Sequence, residues 1–360
     1  HLHGGRAVIE GVYSALSAQK GFRFAENGEF SKRAVINGRI DLTEAEGIND
    51  LINAETEAQR DQGLNQLEGA LRLQLEKWSN DLKGFGAHIE AYIDFPDEQI
   101  PENVLSDLLQ GVEETNRELK EFVDDDRKGE ILRSGLKVAV IGPPNVGKSS
   151  FVNWLTKRDI AITSEKAGTT RDIVEAHLDL GGYPVTVADT AGMRESEDTI
   201  EQEGIRRARS WSESADLRVL ILDPETAEDA NAFSDLLKSG DPVLMNKADR
   251  ITIVKKKMSA AYSLVSVKTG YGLESILSEL TTIAKRKMGT QKPTTITQAR
   301  HRALLNDCLT ALREADFGLR NHADLELIAE DFRSAIYCIG RITGHIDVED
   351  LLDVVFKVFC

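Results

Sequence analysis

The feature that most constrains this chain is a glycine-rich stretch, GPPNVGKSS at residues 142–150. The run KVAVI before it is typical of a buried strand, and SFVNWLTK after it has the apolar spacing of a helix. Gly142 and Gly147 let backbone N–H groups wrap a phosphate at the positive end of that helix. Because strand, loop and helix follow directly on one another, the sequence predicts a phosphate-binding α/β domain.

Short β-rich runs recur on both sides of this loop, separated by segments of helical length. They are LKVAVIG (136–142), YPVTVADT (183–190), LRVLILD (217–223), PVLMNKAD (242–249) and YSLVSVK (262–268). This alternation predicts a mostly parallel sheet with helices on both faces. LDLGGYP (178–184) predicts a tight turn between two neighbouring strands, one of them an antiparallel edge.

The flanking segments have helical periodicity instead. From Leu64 to Ile89 apolar residues recur every three or four positions, which predicts one long helix ended by Pro96 and Pro101. A charged helical stretch continues to about Arg133, and after Lys287 the chain is helical again. The α/β domain therefore interrupts an α-helical one, whose two parts we expect to pack into a single bundle.

Composition excludes several classes of protein. A chain of 360 residues predicts two or three domains, and its net charge of -16 argues against a general electrostatic grip on nucleic acid. The apolar runs are too short for a membrane span, and the start has no signal-peptide pattern. Three cysteines without CxxC spacing indicate a reducing compartment without a disulfide framework or zinc site. We expect a cytoplasmic protein.

The glycine-rich loop carries the first part of a nucleotide site. Lys148 is expected to neutralise the β- and γ-phosphates, and the Ser149 hydroxyl to ligate Mg²⁺. The loop residues predicted to contact the nucleotide are Asn145, Val146, Gly147, Lys148, Ser149 and Ser150.

A second element, DTAG, ends the next β-rich run of the sheet. Asp189 is placed to reach Mg²⁺ through water, and the Gly192 N–H to meet the γ-phosphate. The predicted contacts are Asp189, Thr190, Ala191 and Gly192.

The base is predicted to bind to NKAD and SVK. The Asp249 carboxylate accepts from N1–H and the exocyclic amine of guanine, and adenine would leave it unpaired, so the sequence predicts GTP and not ATP. Each motif alone also suits an ordinary turn or cap; their order favours the nucleotide site. The residues concerned are Asn246, Lys247, Asp249, Ser266, Val267 and Lys268.

Two stretches bear on switching and hydrolysis. In AGTTRD (167–172), Thr170 is preferred over Thr169 as a residue that ligates Mg²⁺ only while the γ-phosphate is bound. The alternative is that this stretch forms an ordinary Ser/Thr turn. After DTAG, where a water-orienting glutamine is usual, this chain has Met193. A thioether cannot orient water, so either hydrolysis is poor or the catalytic group lies elsewhere.

With these residues in hand, the chain resembles the tRNA modification GTPase MnmE (TrmE) family over essentially its whole length. The match includes HGG at the start, GEFSKRAVINGRIDLTEAEGINDLINAET (28–56), YIDFPDE (92–98), PNVGKSS, AGTTRD, DTAGMRE and the closing VFC. GEFSKRA and DFPDE are more specific than the nucleotide motifs. Against the family pattern, we expect a fragment lacking most of the N-terminal domain and the residues after Cys360.

The resemblance implies a Ras-like P-loop GTPase domain inserted into a discontinuous α-helical bundle, with a short remnant of an N-terminal α+β domain. The implied domains are the folate-binding and dimerisation remnant at 1–37, the helical domain at 38–134 and 287–360, and the G domain at 135–286. It further implies a homodimer, the flavoprotein partner MnmG, and C5 modification of a wobble uridine in tRNA, contacted mainly through the partner. A 5-formyl- or methylene-tetrahydrofolate donor is implied, with Arg39 at the folate pocket.

The same resemblance implies GTP hydrolysis activated when G domains dimerise around K⁺. The K⁺ ligands fall on Asn145, Ser164, Lys166 and Thr169. Nucleotide contacts are also expected from the loop that precedes and includes the switch threonines: Ser164, Glu165, Lys166, Ala167, Gly168, Thr169 and Thr170.

Glu201 matches the catalytic glutamate of the family. From the residues alone, it also suits the acidic first turn of a helix, where negative charge favours the helix dipole. Two other functions are weighed beside the enzyme: a regulatory RNA- or ribosome-binding switch GTPase, and a non-hydrolysing scaffold. The first would predict a basic module after the G domain, where this chain has amphipathic helices.

Overall fold

The computed structural model describes residues 1–95, 102–158, 160–162, 175–189, 211–226, 233–250, 262–289, 293–346 and residue 356. Helices precede and follow a β-sheet. Before the sheet lie α1 (Arg6–Ser17), α2 (Glu29–Ile36), α3 (Leu42–Ile52), α4 (Glu57–Leu67), α5 (Ala70–Asp94), α6 (Glu102–Val123) and α7 (Lys128–Ser134). After it lie α10 (Ala299–Arg320) and α11 (Leu325–Thr343).

The sheet has the strand order β2-β3-β1-β4-β5-β6. Its strands are β1 (Leu136–Ile141), β2 (Glu175–Asp179), β3 (Pro184–Asp189), β4 (Leu217–Leu222), β5 (Val243–Met245) and β6 (Ser263–Leu264), with helices α8 (Lys148–Thr156) and α9 (Leu273–Met288). β1 runs parallel to β3 and β4, and β4, β5 and β6 run parallel to one another. β2 is antiparallel to β3 at the edge, which confirms the predicted turn at LDLGGYP.

Apolar side chains cover both faces of this sheet. Val138, Val140 and Val219 belong to one core with Phe151 of α8. Ala139, Ile141 and Leu220 point to the other face and pack with Met245 in a second core. Burial on both faces explains why these strands read as continuous apolar runs.

The helices on either side of the sheet in sequence form one bundle. Its core combines residues of α5 and α6 with residues of α10 and α11. Trp78 and Leu75 from the first part are completely or nearly completely buried, as are Leu305 and Phe332 from the second. The predicted fold class, an α/β P-loop domain inserted in a discontinuous helical bundle, is confirmed.

Within the described ranges, no helix is both long and apolar enough to cross a bilayer.

The single long helix expected from Leu64 onward is wrong. The chain breaks between α4 and α5 at Gly69, whose φ of 80° is left-handed. The charged stretch up to Arg133 is also two helices, separated by Asp126 and Arg127 with φ of 56° and 58°. Apolar spacing continues across the first break although Leu64 of α4 is exposed. Beyond the second break, Leu132 of α7 belongs to the sheet core and not to the bundle core.

The chain leaves the bundle for the sheet at α7 and returns to it just before α10, and these two crossings lie next to each other. Gly129 of α7 lies so close to the carbonyl oxygen of Ile296 that a Cβ at this position would overlap it. Arg302 in α10 joins the same place, with ion pairs to Asp125 and Glu130. The two crossings are therefore tied to each other as well as to the bundle.

Candidate nucleotide-binding site

The loop from Gly142 to Gly147 connects β1 to α8 at the carboxyl edge of the sheet. It is anchored by Val146, whose side chain is fully buried in the sheet core. Gly142 has φ of 142° and Gly147 has φ of 100°. A Cβ on Gly142 would overlap the Ile221 carbonyl oxygen, and one on Gly147 the Asn246 amide nitrogen. Both glycines are thus required by close packing as well as by conformation.

Lys148 is the first residue of α8 and is buried. Its ammonium group donates to the carbonyl oxygens of Gly142 at 2.8 Å and Pro143 at 2.6 Å. The cation therefore lies within the concave side of the glycine-rich loop, next to the amino end of α8. Positive charge from the lysine and from the helix dipole is concentrated there, which suits a polyphosphate.

Asn246 joins the two halves of the site. Its Nδ2 donates to the Val146 carbonyl oxygen at 2.7 Å, and its Oδ1 accepts from the Val267 N–H at 3.1 Å. The side chain is almost fully buried, so both hydrogen bonds are shielded from water. One amide thus fixes the phosphate loop and the SVK loop at a set separation.

Asp249 follows β5 in a short 3₁₀ turn, Ala248–Arg250. Its Oδ1 accepts from the Ser266 hydroxyl at 2.7 Å. This hydrogen bond lowers the pKa of the exposed Asp249 carboxyl, so the group is ionised at neutral pH. An ionised acceptor held next to Val267 and the exposed Lys268 suits the N–H edge of a guanine base.

The magnesium-binding residues predicted in the described part are Ser149, as a direct ligand, and Asp189, through water. Val140 pairs with Asp189 in the parallel register of β1 and β3, so the DTAG strand ends beside the glycine-rich loop. Ser149 stands in the first turn of α8, next to that loop. Its hydroxyl is an oxygen donor of the kind that Mg²⁺ prefers, so this residue fits the ion.

Several predicted site residues fall outside the described residues. They are Ser164, Glu165, Lys166, Ala167, Gly168, Thr169, Thr170, Thr190, Ala191, Gly192 and Glu201, together with Met193, Cys360 and the side chain of Asp189. Arg39 is described: it is exposed in the turn between α2 and α3 and does not belong to the sheet edge.

One residue at the site is absent from the motif analysis. Asp223 directly follows β4 and is 3% exposed. Its Oδ2 lies 2.5 Å from Nζ of Lys247, in the NKAD motif. The sequence pattern that could have indicated Asp223 is an acidic residue at the end of the apolar run LRVLILD, since this run forms a strand next to the P-loop strand.

The chain matches two family models. The model described as the MnmE helical domain covers residues 42–360, and the one described as the GTP-binding protein TrmE N-terminus covers residues 1–39. Among solved structures, the G domain of the Thermotoga maritima FeoB iron transporter is 24% identical. It covers 41% of this chain and 98% of its own length, with a TM-score of 0.32.

Curated relatives are similar along the entire chain. The tRNA modification GTPase MnmE of Parvibaculum lavamentivorans is 46% identical over 360 residues, spanning 100% of this chain and 81% of that relative. The protein of the same name from Rhodospirillum rubrum is 46% identical over 366 residues, spanning 100% of this chain and 79% of that relative. The chain therefore belongs to the tRNA modification GTPase MnmE family, a family of GTP-hydrolysing enzymes.

Proposed function

We propose that this chain hydrolyses GTP as a component of tRNA modification, acting with the flavoprotein MnmG at C5 of a wobble uridine. The observation that carries the guanine-nucleotide part is the Asn246 bridge between the P-loop and the SVK loop. It sets the phosphate loop and the Asp249–Ser266 pair in one rigid frame. The tRNA part rests on membership of the family, whose relatives carry that name.

In this proposal Lys148 binds the β- and γ-phosphates, while Ser149 and Thr170 ligate Mg²⁺ directly and Asp189 does so through water. The ion would offset charge that develops on the phosphate oxygens. Asp249 selects guanine, because an adenine in the same place would leave its carboxylate unpaired. The proposed domains are those given by the resemblance, at 1–37, 38–134 with 287–360, and 135–286.

The proposed catalytic group is Glu201, which orients the attacking water in place of the missing glutamine. K⁺ bound by Asn145, Ser164, Lys166 and Thr169 would offset negative charge between the β- and γ-phosphates, the role that an arginine finger fills in other GTPases. Two protomers would complete the site by pairing their G domains. Folate, with Arg39 at its pocket, supplies the one-carbon unit in the proposed cytoplasmic assembly.

The test of hydrolysis is GTP turnover in KCl against NaCl at equal ionic strength, with Glu201→Ala beside the wild type. We expect faster turnover in KCl, and in Glu201→Ala a loss of rate without a loss of GTP affinity, which marks a transition-state role. Glu203→Ala, a carboxylate two residues along the same run, is the matched control and should keep its rate. Equal, negligible turnover in both salts would refute the proposal.

The base assignment has its own test. Asp249→Asn replaces a carboxylate acceptor with an amide that can donate, which suits the carbonyl at position 2 of xanthine. We expect this variant to lose GTP affinity by at least about tenfold and to gain affinity for XTP. Competition binding with GTP, XTP and ATP measures it, and an unchanged preference for GTP would contradict the role of Asp249.

A further inference from the structure

Asp223 lies near the middle of the carboxyl end of the sheet, where the predicted nucleotide motifs also lie. It follows β4, which lies between β1, the strand of the P-loop, and β5, the strand of NKAD. Only 3% of the residue is exposed. A buried carboxylate needs compensating partners, so the contacts of its two oxygens indicate what it does.

One oxygen is held by the local loop. Asp223 Oδ1 accepts from the N–H groups of Glu225 at 3.1 Å and Thr226 at 3.0 Å, and from the Thr226 hydroxyl at 3.0 Å. The Thr226 hydroxyl in turn accepts from the Asp223 N–H at 3.1 Å. These bonds fix the carboxylate plane, and the other oxygen, Oδ2, is directed at the Lys247 ammonium group.

The Asp223 carboxyl is ionised at neutral pH. Burial acts to raise the pKa of Asp223, but the hydrogen bonds from Lys247 and Thr226 outweigh burial and hold it below its usual range. The hydrogen bond from Lys247 therefore reaches a carboxylate that is almost completely shielded from water. Such charge-assisted bonds are about twice as strong as neutral ones.

The backbone of Lys247 is held separately from its side chain. Its φ is 61°, a left-handed value that is disfavoured for a residue with a side chain. Hydrogen bonds of its neighbours hold the backbone there: Asn246 N–H to Leu222 O at 2.7 Å and Ala248 N–H to Val265 O at 3.0 Å. These bonds act on the backbone; the side chain is held by Asp223 Oδ2.

We infer that Asp223 is a positioning residue for the guanine-nucleotide site, which holds the Lys247 side chain in place before the nucleotide arrives. The inference rests on the proposed nucleotide site and adds a residue to it. When the lysine is already in position, nucleotide binding does not have to order a flexible side chain. The effect of Asp223 should therefore appear in the binding affinity. GDP and GTP present the same base and ribose to NKAD, so Asp223 should strengthen the binding of both equally and leave the chemical step unchanged.

The experiment is titration of wild type, Asp223→Asn, Lys247→Met and the double variant with fluorescent GDP and GTP, with kcat at saturating GTP. Asp223→Asn is isosteric; it removes the charge and replaces one acceptor oxygen with an amide nitrogen that donates. We expect it to raise the Kd for GDP and GTP alike by about tenfold, with kcat within about twofold of wild type. The double variant should match Lys247→Met alone, because Asp223 acts through that lysine.

Asp241→Asn is the matched control. Asp241 also caps a loop, accepting from the N–H groups of Arg218 at 3.1 Å and Lys238 at 2.7 Å, but it precedes β5 and lies at the opposite edge of the sheet. Its nucleotide Kd should equal that of wild type. If Asp223→Asn yields no folded protein, Thr226→Val carries the test, since it removes one of the three hydrogen bonds to Oδ1 and retains the charge; a smaller, equal rise in both Kd values is expected.

The outcomes separate the two proposals. A wild type that binds neither nucleotide overturns the proposed function and this inference together. If the wild type binds, an unchanged Kd in Asp223→Asn overturns the inference alone. So do additive effects in the double variant, or a fall in kcat at unchanged Kd.

Discussion

Glu46 and His301 face each other between α3 and α10, with Glu46 Oε2 2.9 Å from His301 Nε2 and His301 completely buried. Burial lowers the pKa of His301, so its imidazole is neutral at pH 7. Burial acts to raise the pKa of Glu46, but His301 and the Arg300 guanidinium lower it by more, and the carboxyl stays ionised. Arg300 also donates to the carbonyls of Arg341 and Ile342. This cluster joins α3 to both helices of the second part of the bundle.

Glu46→Gln should strongly destabilise the bundle, because it leaves the Arg300 guanidinium without its counter-ion. Breaking a buried pair by removing one partner typically costs about 3–5 kcal/mol in the free energy of unfolding. Urea unfolding followed by circular dichroism measures it. Glu10→Gln, in the exposed Arg6–Glu10 pair, is the control and should leave the midpoint unchanged. Equal shifts in both variants would contradict the assignment.

Asp50 should give the fold a distinctive pH dependence. Burial raises the pKa of Asp50 from an ordinary 3.8 to about 6, although Arg133 at 2.7 Å opposes the shift. The folded chain therefore keeps a proton that the unfolded chain releases. Its contribution to stability is complete below pH 3.8 and is lost as the pH rises through about 6.

Asp50→Asn removes this dependence. The free energy of unfolding of the wild type, minus that of the variant, should fall by about 3 kcal/mol between acidic and neutral pH. Urea midpoints of both proteins at several pH values between about 4 and about 7.5 test it. A difference independent of pH would show that Asp50 titrates normally.

Gly142→Ala should abolish nucleotide binding. The new Cβ would overlap the Ile221 carbonyl oxygen, and φ of 142° is strained for alanine. We expect the Kd for GDP to rise by more than about a hundredfold, since the loop must move to relieve the overlap.

Gly84→Ala is the matched control for that change. Gly84 lies within α5, and a Cβ there meets nothing within 4 Å. Alanine favours helix over glycine by about 1 kcal/mol, so this variant should unfold at slightly higher urea and bind GDP normally. Normal GDP binding by Gly142→Ala would refute the packing argument.

Asn246→Ala should weaken GDP and GTP binding together. It removes both bonds of the bridge and leaves the buried Val146 carbonyl and Val267 N–H without that partner. An affinity loss of about tenfold to a hundredfold is expected from unpaired buried groups. Asn306→Ala, which removes an exposed bond to the Arg302 carbonyl in α10, should change neither affinity. Isothermal titration of both variants decides the question.

The order of strands and helices was predictable because apolar spacing reports burial directly. β1 and β3 were located from short β-rich runs, and β2 from the Gly-Gly turn after it. Helix breaks were not, since the helical spacing of Leu64, Leu71 and Leu75 runs on across the left-handed Gly69, although Leu64 is exposed. Apolar spacing therefore does not report where the backbone turns.

The site residues also divide into those that local sequence predicts and those that it does not. Lys148, Asn246 and Asp249 belong to motifs whose residues are adjacent in sequence, so spacing alone located them. Asp223 and Lys247 are brought together by parallel strands, and Glu46 and His301 by helices from the two ends of the chain. Pairs of this kind leave no local pattern, because their partners are chosen by the tertiary fold.

The interrupted bundle also has a consequence for biosynthesis. Translation completes α5 and α6 by Val123, while α10, which packs on α6, begins only at Ala299, and α11, which packs on α5, begins later still. At about 5–20 residues per second, the first half of the bundle waits on the order of ten seconds or more for the second. The whole α/β domain emerges during that interval and can fold first. The nascent α5–α6 pair therefore stays accessible to a ribosome-associated chaperone throughout that interval.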